Sequence, residues 1–254
     1  MPTAALFFDY PARFYLGKYY SKVGVENDAF MRSVADATRR LGSLGTVVEL
    51  GGGPSLCAMF AMTAATESGP ERVVWLDAGA PNLREVQSWL SGQPDAFDYS
   101  AILDWLEAEL GASAQNVIER LRGARWDLRM IDLWAGLPAD LDGVGDVVGS
   151  YFVAECATDC EAEFIELTKR VRQTSRDGAQ VVLAYIRASS PYRLHDDTLY
   201  PALAVDECNL PSLLDLAGVS LANRAIRRGP IDEPPPRPGY SGMVFVQGQL
   251  TKCA

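Results

Sequence analysis

Three consecutive glycines and three acids carry the densest chemical signal in this chain of 254 residues. Glu49-Leu50-Gly51-Gly52-Gly53-Pro54 closes the short run Thr46–Leu50, which puts the glycines at the carboxyl end of a predicted strand. Glycine there permits a tight turn and lets the backbone come close to a bound group. A second predicted strand, Val73–Asp77, ends on an acid roughly twenty-five residues after the loop, placed to accept hydrogen bonds from both hydroxyls of a ribose. A third, Trp126–Asp132, ends on another acid at the same sheet edge, placed for an adenine ring.

These features separate nucleotide ligands from one another. A dinucleotide fingerprint needs a third glycine where the chain has Leu56, and no phosphate-binding G-x-x-x-x-G-K-[ST] loop is present. A pyrophosphate would also be repelled by Glu49 at the end of the first strand. A cationic nucleoside tolerates that acid, so the pattern favours S-adenosylmethionine over NAD or ATP. A non-catalytic binding protein ranks last, since Glu49, Asp77 and Asp132 are all present, and the missing third glycine counts against a nicotinamide dehydrogenase.

The formal charge of −10 disfavours binding to a phosphate backbone, so no nucleic-acid partner is expected. No apolar run approaches the roughly 20 residues that span a bilayer, and MPTAALFFDYPARF lacks the pattern of a signal peptide. A cytoplasmic protein with a small-molecule substrate and no membrane partner is the expectation; the oligomeric state stays open. The five cysteines (Cys57, Cys156, Cys160, Cys208 and Cys253) read as free, mostly buried thiols. Cys156 and Cys160 are spaced for one helix face, and His195 is the single histidine, so no metal site is expected. His195 reads as an exposed loop residue.

The elements that must position these groups alternate. Residues 1–27 are rich in aromatic side chains and read as an appended segment. Asp28 is expected to cap a helix ending at Gly42, Pro54–Thr66 and Pro81–Leu90 read as helices, and Ala101–Arg122 as one long amphipathic helix. Asp146–Glu155 is a fourth strand, Cys160–Arg176 a helix, Ala179–Ile186 a fifth strand and Leu210–Ala217 a helix. Val219–Arg227 and Gly242–Leu250 follow as strands joined by the proline-rich loop Gly229–Gly239. Apolar strands alternating with helices predict one α/β domain over residues 1–254, a mostly parallel sheet covered on both faces with one antiparallel strand.

Blocks along nearly the whole chain resemble one family in order: FDYPARFYLGKYY (Phe8–Tyr20), VVELGGGPS (Val47–Ser55), LDAGAPNLREVQSWL (Leu76–Leu90) and QPDAFDYS (Gln93–Ser100). The resemblance continues through Asp132, SYFVAEC (Ser150–Cys156) and YSGMVFVQGQL (Tyr240–Leu250). The chain is similar to the nicotinamide/phenylethanolamine/thioether N- and S-methyltransferase family. That resemblance implies a class I methyltransferase (Rossmann-like) three-layer fold with a seven-stranded sheet. It also implies that residues 1–27 form an aromatic lid over an S-adenosylmethionine site. Carried over position by position, cofactor contacts fall on Tyr15, Tyr20, Gly51, Gly53, Ser55 and Asp77. They continue through Asn82, Asp132, Leu133, Tyr151 and Ala157, and Glu49, Gly52 and Ser150 complete the expected cofactor set.

Amine-methylating members of the family carry an acid at the end of the fifth strand, where this chain has Tyr185. Two readings follow. In the first, a neutral heteroaromatic, thiol, thioether or amino-acid-like acceptor is held by Tyr15, Ser189, Ser190, Tyr192 and Tyr200. In the second, the enzyme is a cyclase that folds the aminobutyryl arm of S-adenosylmethionine back on itself. It would release methylthioadenosine and azetidine-2-carboxylate or 1-aminocyclopropane-1-carboxylate. Tyr15, Tyr185 and Tyr192 are the expected catalytic positions in either case, with Tyr185 pointing into the cavity and Tyr151 a further ring in its wall.

Overall fold

A computed structural model describes residues 5–194, 197–235 and 238–251. His195 and Cys253 lie outside the described residues.

The strands that lead to the glycine loop form the centre of a sheet. β1 (Gly45–Leu50) is flanked by β2 (Pro70–Asp77) and, on its other side, by β4 (Gly145–Tyr151). β3 (Arg125–Met130) forms one edge. Beyond β4 come β5 (Ser175–Ile186), β9 (Met243–Leu250) and β8 (Leu221–Arg228). The order is β3-β2-β1-β4-β5-β9-β8, and β9 runs antiparallel to both neighbours. That is the class I methyltransferase architecture with one reversed strand. A separate two-stranded pair, β6 (Tyr192–Arg193) with β7 (Leu199–Tyr200), was not foreseen.

Successive residues of each inner strand enter opposite cores. Val47, Val73, Trp75, Val182 and Ala184 join one core with α3 (Val25–Thr38), α4 (Cys57–Ala65), α5 (Ala80–Leu90), α6 (Ser100–Leu110) and α7 (Ala114–Gly123). Val48, Val74, Leu76, Val181, Leu183 and Tyr185 join the other with α9 (Glu161–Thr174) and α10 (Leu210–Leu216). Both faces are covered, which is why the strands read as apolar runs rather than alternating ones.

Several boundaries differ from expectation for local reasons. Ala101–Arg122 is two helices, because Gly111 takes a left-handed φ of 65° at the end of α6 and the Ser113 side chain caps α7. Asp28 lies inside the first turn of α3, whose N-cap is Gly24. Asp28 instead accepts from the Trp105 indole at 2.8 Å and pairs with Arg32. β3 stops at Met130, so Asp132 lies two residues past the strand. β4 stops at Tyr151 before a short helix, α8 (Ala154–Ala157), and β5 begins at Ser175, earlier than expected. Cys156 falls in α8 and Cys160 caps α9, so they share no helix face. Cys57 and Cys156 are buried, but Cys160 and Cys208 are exposed.

The N-terminal segment contributes α1 (Ala5–Phe8) and α2 (Ala12–Tyr20). Leu16 and Tyr20 of α2 are buried in the first core. Phe7 and Tyr10 reach across to Tyr200 of β7, with ring centroids 5.5 and 5.8 Å apart. No helix among the described residues is long and apolar enough to cross a membrane.

Candidate active site

At the carboxyl ends of β1 and β2 the backbone turns on Gly51 and Gly53, with φ of 64° and 61°. Side chains are excluded here for a second reason: a Cβ on Gly52 would lie 2.3 Å from the Trp75 ring. The Trp75 indole donates to the Gly53 carbonyl at 3.1 Å, which fixes the loop against β2.

Asp77 ties the loop to the next helix. Its Oδ2 accepts the Gly53 amide at 2.8 Å, and its Oδ1 accepts the Gly79 amide at 2.7 Å and the Asn82 side chain at 2.9 Å. Burial raises the Asp77 carboxyl above its ordinary value, and these three donors offset only part of that rise. Oδ1 is filled by its two donors, while Oδ2 keeps a further lone-pair direction for a ligand hydroxyl. Oδ1 of Asn82 is buried and has no hydrogen-bond partner, a second acceptor without a donor beside the first.

The cavity over this loop draws together most of the expected cofactor positions. Gly51, Gly52, Gly53, Ser55, Asp77 and Asn82 line one side. Asp132, Leu133, Tyr151 and Ala157 line another, and Tyr15, Tyr20 and Tyr192 close it from α2 and β6. Asp132 uses one oxygen to accept the Trp134 amide at 2.9 Å, which orients its side chain.

Three expected positions lie elsewhere. Tyr185 does not line the cavity; it packs on Phe164 of α9 inside the second core, with ring centroids 5.7 Å apart. Burial, then the neighbouring Glu155, pushes its phenol pKa far up. Ser150 donates to the Leu50 carbonyl at 3.3 Å between strands. Glu49 is buried beneath the glycine loop, 1% exposed, and does not line the cavity.

A second chamber shares a wall with the first: Tyr10, Tyr15, Tyr20, Phe152, Cys156 and Tyr192 face both. Its far side carries Lys18, Lys22, Glu26, Asp232 and Tyr240. There the Tyr240 hydroxyl donates to Glu26 Oε1 at 2.7 Å. Ser189, Ser190 and Tyr200 line neither chamber; Ser190 donates to the Gly239 carbonyl, and Tyr200 is buried behind Tyr192, with ring centroids 5.3 Å apart.

Phe7 and Tyr10 of the expected aromatic lid line the first cavity, but the expectations missed Phe30 and Phe152 there and Glu26 and Asp232 in the second. Phe152 is the least ordinary of them. It holds a left-handed φ of 60°, a conformation that disfavours a bulky side chain. Its amide donates to Ala184 of β5 at 2.8 Å and its ring meets Phe30, so surrounding contacts hold the strained turn in the shared wall.

The strand order with its reversed β9, and a glycine loop held by an acid at the end of β2, define a class I methyltransferase. Within that class, the profile of the NNMT/PNMT/TEMT family matches residues 5–226, and the chain belongs to that family. Solved structures agree on the fold. A putative S-adenosylmethionine-dependent methyltransferase from Listeria monocytogenes is similar with a TM-score of 0.55 at 10% identity, over 90% of this chain and 99% of that one. The 1,6-didemethyltoxoflavin-N1-methyltransferase of Burkholderia thailandensis, solved with bound 1,6-didemethyltoxoflavin and S-adenosylhomocysteine, gives 0.52 at 13% identity over 88% and 79%. A complex described as DhpI-SAM-HEP gives 0.54 at 15% identity over 96% and 95%. No curated protein sequence matches the chain.

Proposed function

We propose that this protein uses S-adenosylmethionine to methylate a small-molecule acceptor seated in the second chamber. The observation that carries the reading is the shared aromatic wall. One chamber lies under Asp77 and the glycine loop, the other under Glu26 and Tyr240, and they meet at Tyr15, Phe152 and Tyr192.

The residues of the first chamber fit the cofactor. Asp77 and the unpartnered Asn82 Oδ1 offer acceptors for ribose hydroxyls, and Gly53 leaves open space where a side chain would stand. When bound, the sulfonium supplies an activated methyl group. The chain's own part is to align and to exclude water, which accounts for most of the work in an in-line displacement. Tyr10, Tyr15, Tyr20 and Tyr192 give the junction apolar faces, and ring faces also suit a cation. Glu26 and Tyr240 orient the polar end of an acceptor.

The acceptor class proposed is a neutral heteroaromatic, thiol, thioether or amino-acid-like metabolite. Cyclisation of S-adenosylmethionine loses one of the four rings on which it leaned, because Tyr185 packs on Phe164 and not in the cavity wall. Incubating the protein with S-adenosylmethionine alone separates the two chemistries. Methyl transfer predicts an intact cofactor until an acceptor is added, then S-adenosylhomocysteine. Methylthioadenosine formed without any acceptor overturns it.

A further inference from the structure

Beneath the first chamber, two buried polar atoms have no hydrogen-bond partner: Oε2 of Glu49 and the hydroxyl of Tyr151. They converge on one spot. Glu49 of β1 is the register partner of Gly149 of β4, and Tyr151 follows two residues later on the same face of the sheet. A Cβ on Gly149 would stand 2.3 Å from Glu49 Oε2 and 2.8 Å from the Tyr151 oxygen. Both side chains therefore lean over the space that this glycine leaves open.

Among the described residues no charged group is found to act on Glu49. Across the sheet, Glu49 is in register with Trp75 of β2. From α3, Phe30 lies edge-on to the Tyr151 ring at 5.0 Å. The charged groups of α3 are engaged elsewhere: Glu26 with Tyr240, Asp28 with Trp105 and Arg32, Arg32 also with Glu109, and Asp36 with Arg39. α4 carries neither acid nor base, only the buried thiol of Cys57, which burial pushes up to about 12. Tyr151 is a titratable group beside Glu49, and Glu49 acts on it electrostatically. Burial alone pushes the Glu49 carboxyl well above the usual carboxylate range. Tyr151 also lines the chamber, so this hidden pair reaches the ligand space through one side chain.

We propose that Glu49 is the buried counter-charge of the cationic cofactor, acting through Tyr151. Glu49 keeps its proton in the ligand-free protein and releases it when S-adenosylmethionine binds, the Tyr151 hydroxyl then donating to the carboxylate. The step balances: one carboxyl O–H bond breaks, the proton goes to solvent, and no other covalent bond changes. The inference rests on the S-adenosylmethionine reading above and adds to it a proton-coupled preference for the sulfonium. S-adenosylhomocysteine, whose sulfur is neutral, lacks the charge that drives the ionisation. Glu49 is a positioning residue here, since it does not line the chamber itself.

Titration calorimetry in buffers of different ionisation enthalpy counts the protons. Binding of S-adenosylmethionine should release more protons from the wild type than from Glu49→Gln. The difference should be smaller with S-adenosylhomocysteine. Wild-type affinity for S-adenosylmethionine should rise with pH by up to about tenfold per unit, and the variant's should not follow. Equal proton release by the two proteins overturns the proposal and leaves the cofactor reading standing. If S-adenosylmethionine does not bind the wild type at all, the cofactor reading fails and takes the proposal with it. Infrared difference spectra of the wild type give a measurement independent of the variant's folding. The C=O band of a protonated buried carboxyl should vanish when S-adenosylmethionine is added, and its persistence overturns the proposal.

Discussion

The Asp232 carboxylate accepts the Val25 amide at 2.7 Å, across 207 residues of sequence. It also reaches the Glu26 amide at 3.4 Å, and its own amide donates to Glu26 Oε1 at 3.3 Å. The cap of α3 is thus supplied by the proline-rich loop between β8 and β9, and the same pair of acids walls the second chamber. Replacing Asp232 with Ala should cost about 1 kcal/mol of stability, as the loss of a helix cap does. It should raise the acceptor's KM more than it weakens cofactor binding. Chemical denaturation and steady-state kinetics test both parts; equal effects on the two ligands would separate Asp232 from the acceptor chamber.

Asp77→Ala should weaken S-adenosylmethionine binding about ten- to a hundredfold, from the loss of charge-assisted hydrogen bonds worth roughly 1.5–3 kcal/mol. Calorimetry gives the answer directly. An unchanged dissociation constant removes Asp77 from the cofactor site.

The segment holding Phe7, Tyr10 and Tyr15 should be more protected once the cofactor is bound, because all three rings line its chamber. Tryptic cleavage at Lys18 and Lys22 is the probe. Identical digestion rates with and without S-adenosylmethionine contradict a role for residues 1–27 as a lid.

Tyr185→Phe should leave both KM values and kcat unchanged, since the residue packs on Phe164 and not in the cavity wall. Tyr185→Ala should lower stability by about 3–5 kcal/mol through the cavity it leaves. A kinetic defect in the Phe variant at unchanged stability would return Tyr185 to the active site.

Glu49 should make the ligand-free protein less stable as pH rises. Its folded-state pKa is raised by burial, so between the unfolded and folded values the native state binds more protons than the unfolded chain. That contribution is fully present below the unfolded value and is lost as pH rises through the folded one. The stability of Glu49→Gln should fall less steeply with pH over that range. Parallel pH profiles of the two proteins in urea unfolding refute it.

Much of this arrangement was legible in the residues. Gly51–Gly53 after a short strand, with Asp77 closing the next, pointed to one sheet edge, and the helix-free succession of β8 and β9 pointed to the reversed strand. What stayed hidden has physical causes. A sheet covered on both faces has apolar residues on both, so the side to which Tyr185 points is not written as an alternation. β5 also begins earlier than its glycine suggested, which left no anchor for counting faces. The two-helix break was readable, since Gly111 and Ser113 are a helix stop and a helix start, but the apolar period runs on across them. The far wall of the second chamber joins Glu26 to Asp232, and no local pattern announces a contact between segments so distant.

The hydrogen bonds that Asp77 makes to Gly53, Gly79 and Asn82 are made within the chain and need no ligand atom. A nucleoside docking there meets a loop held by the chain itself, so the loop adds little ordering entropy to association beyond what the lid contributes. Variation in affinity among ligands at this site should then appear in how long each stays, with arrival rates much the same.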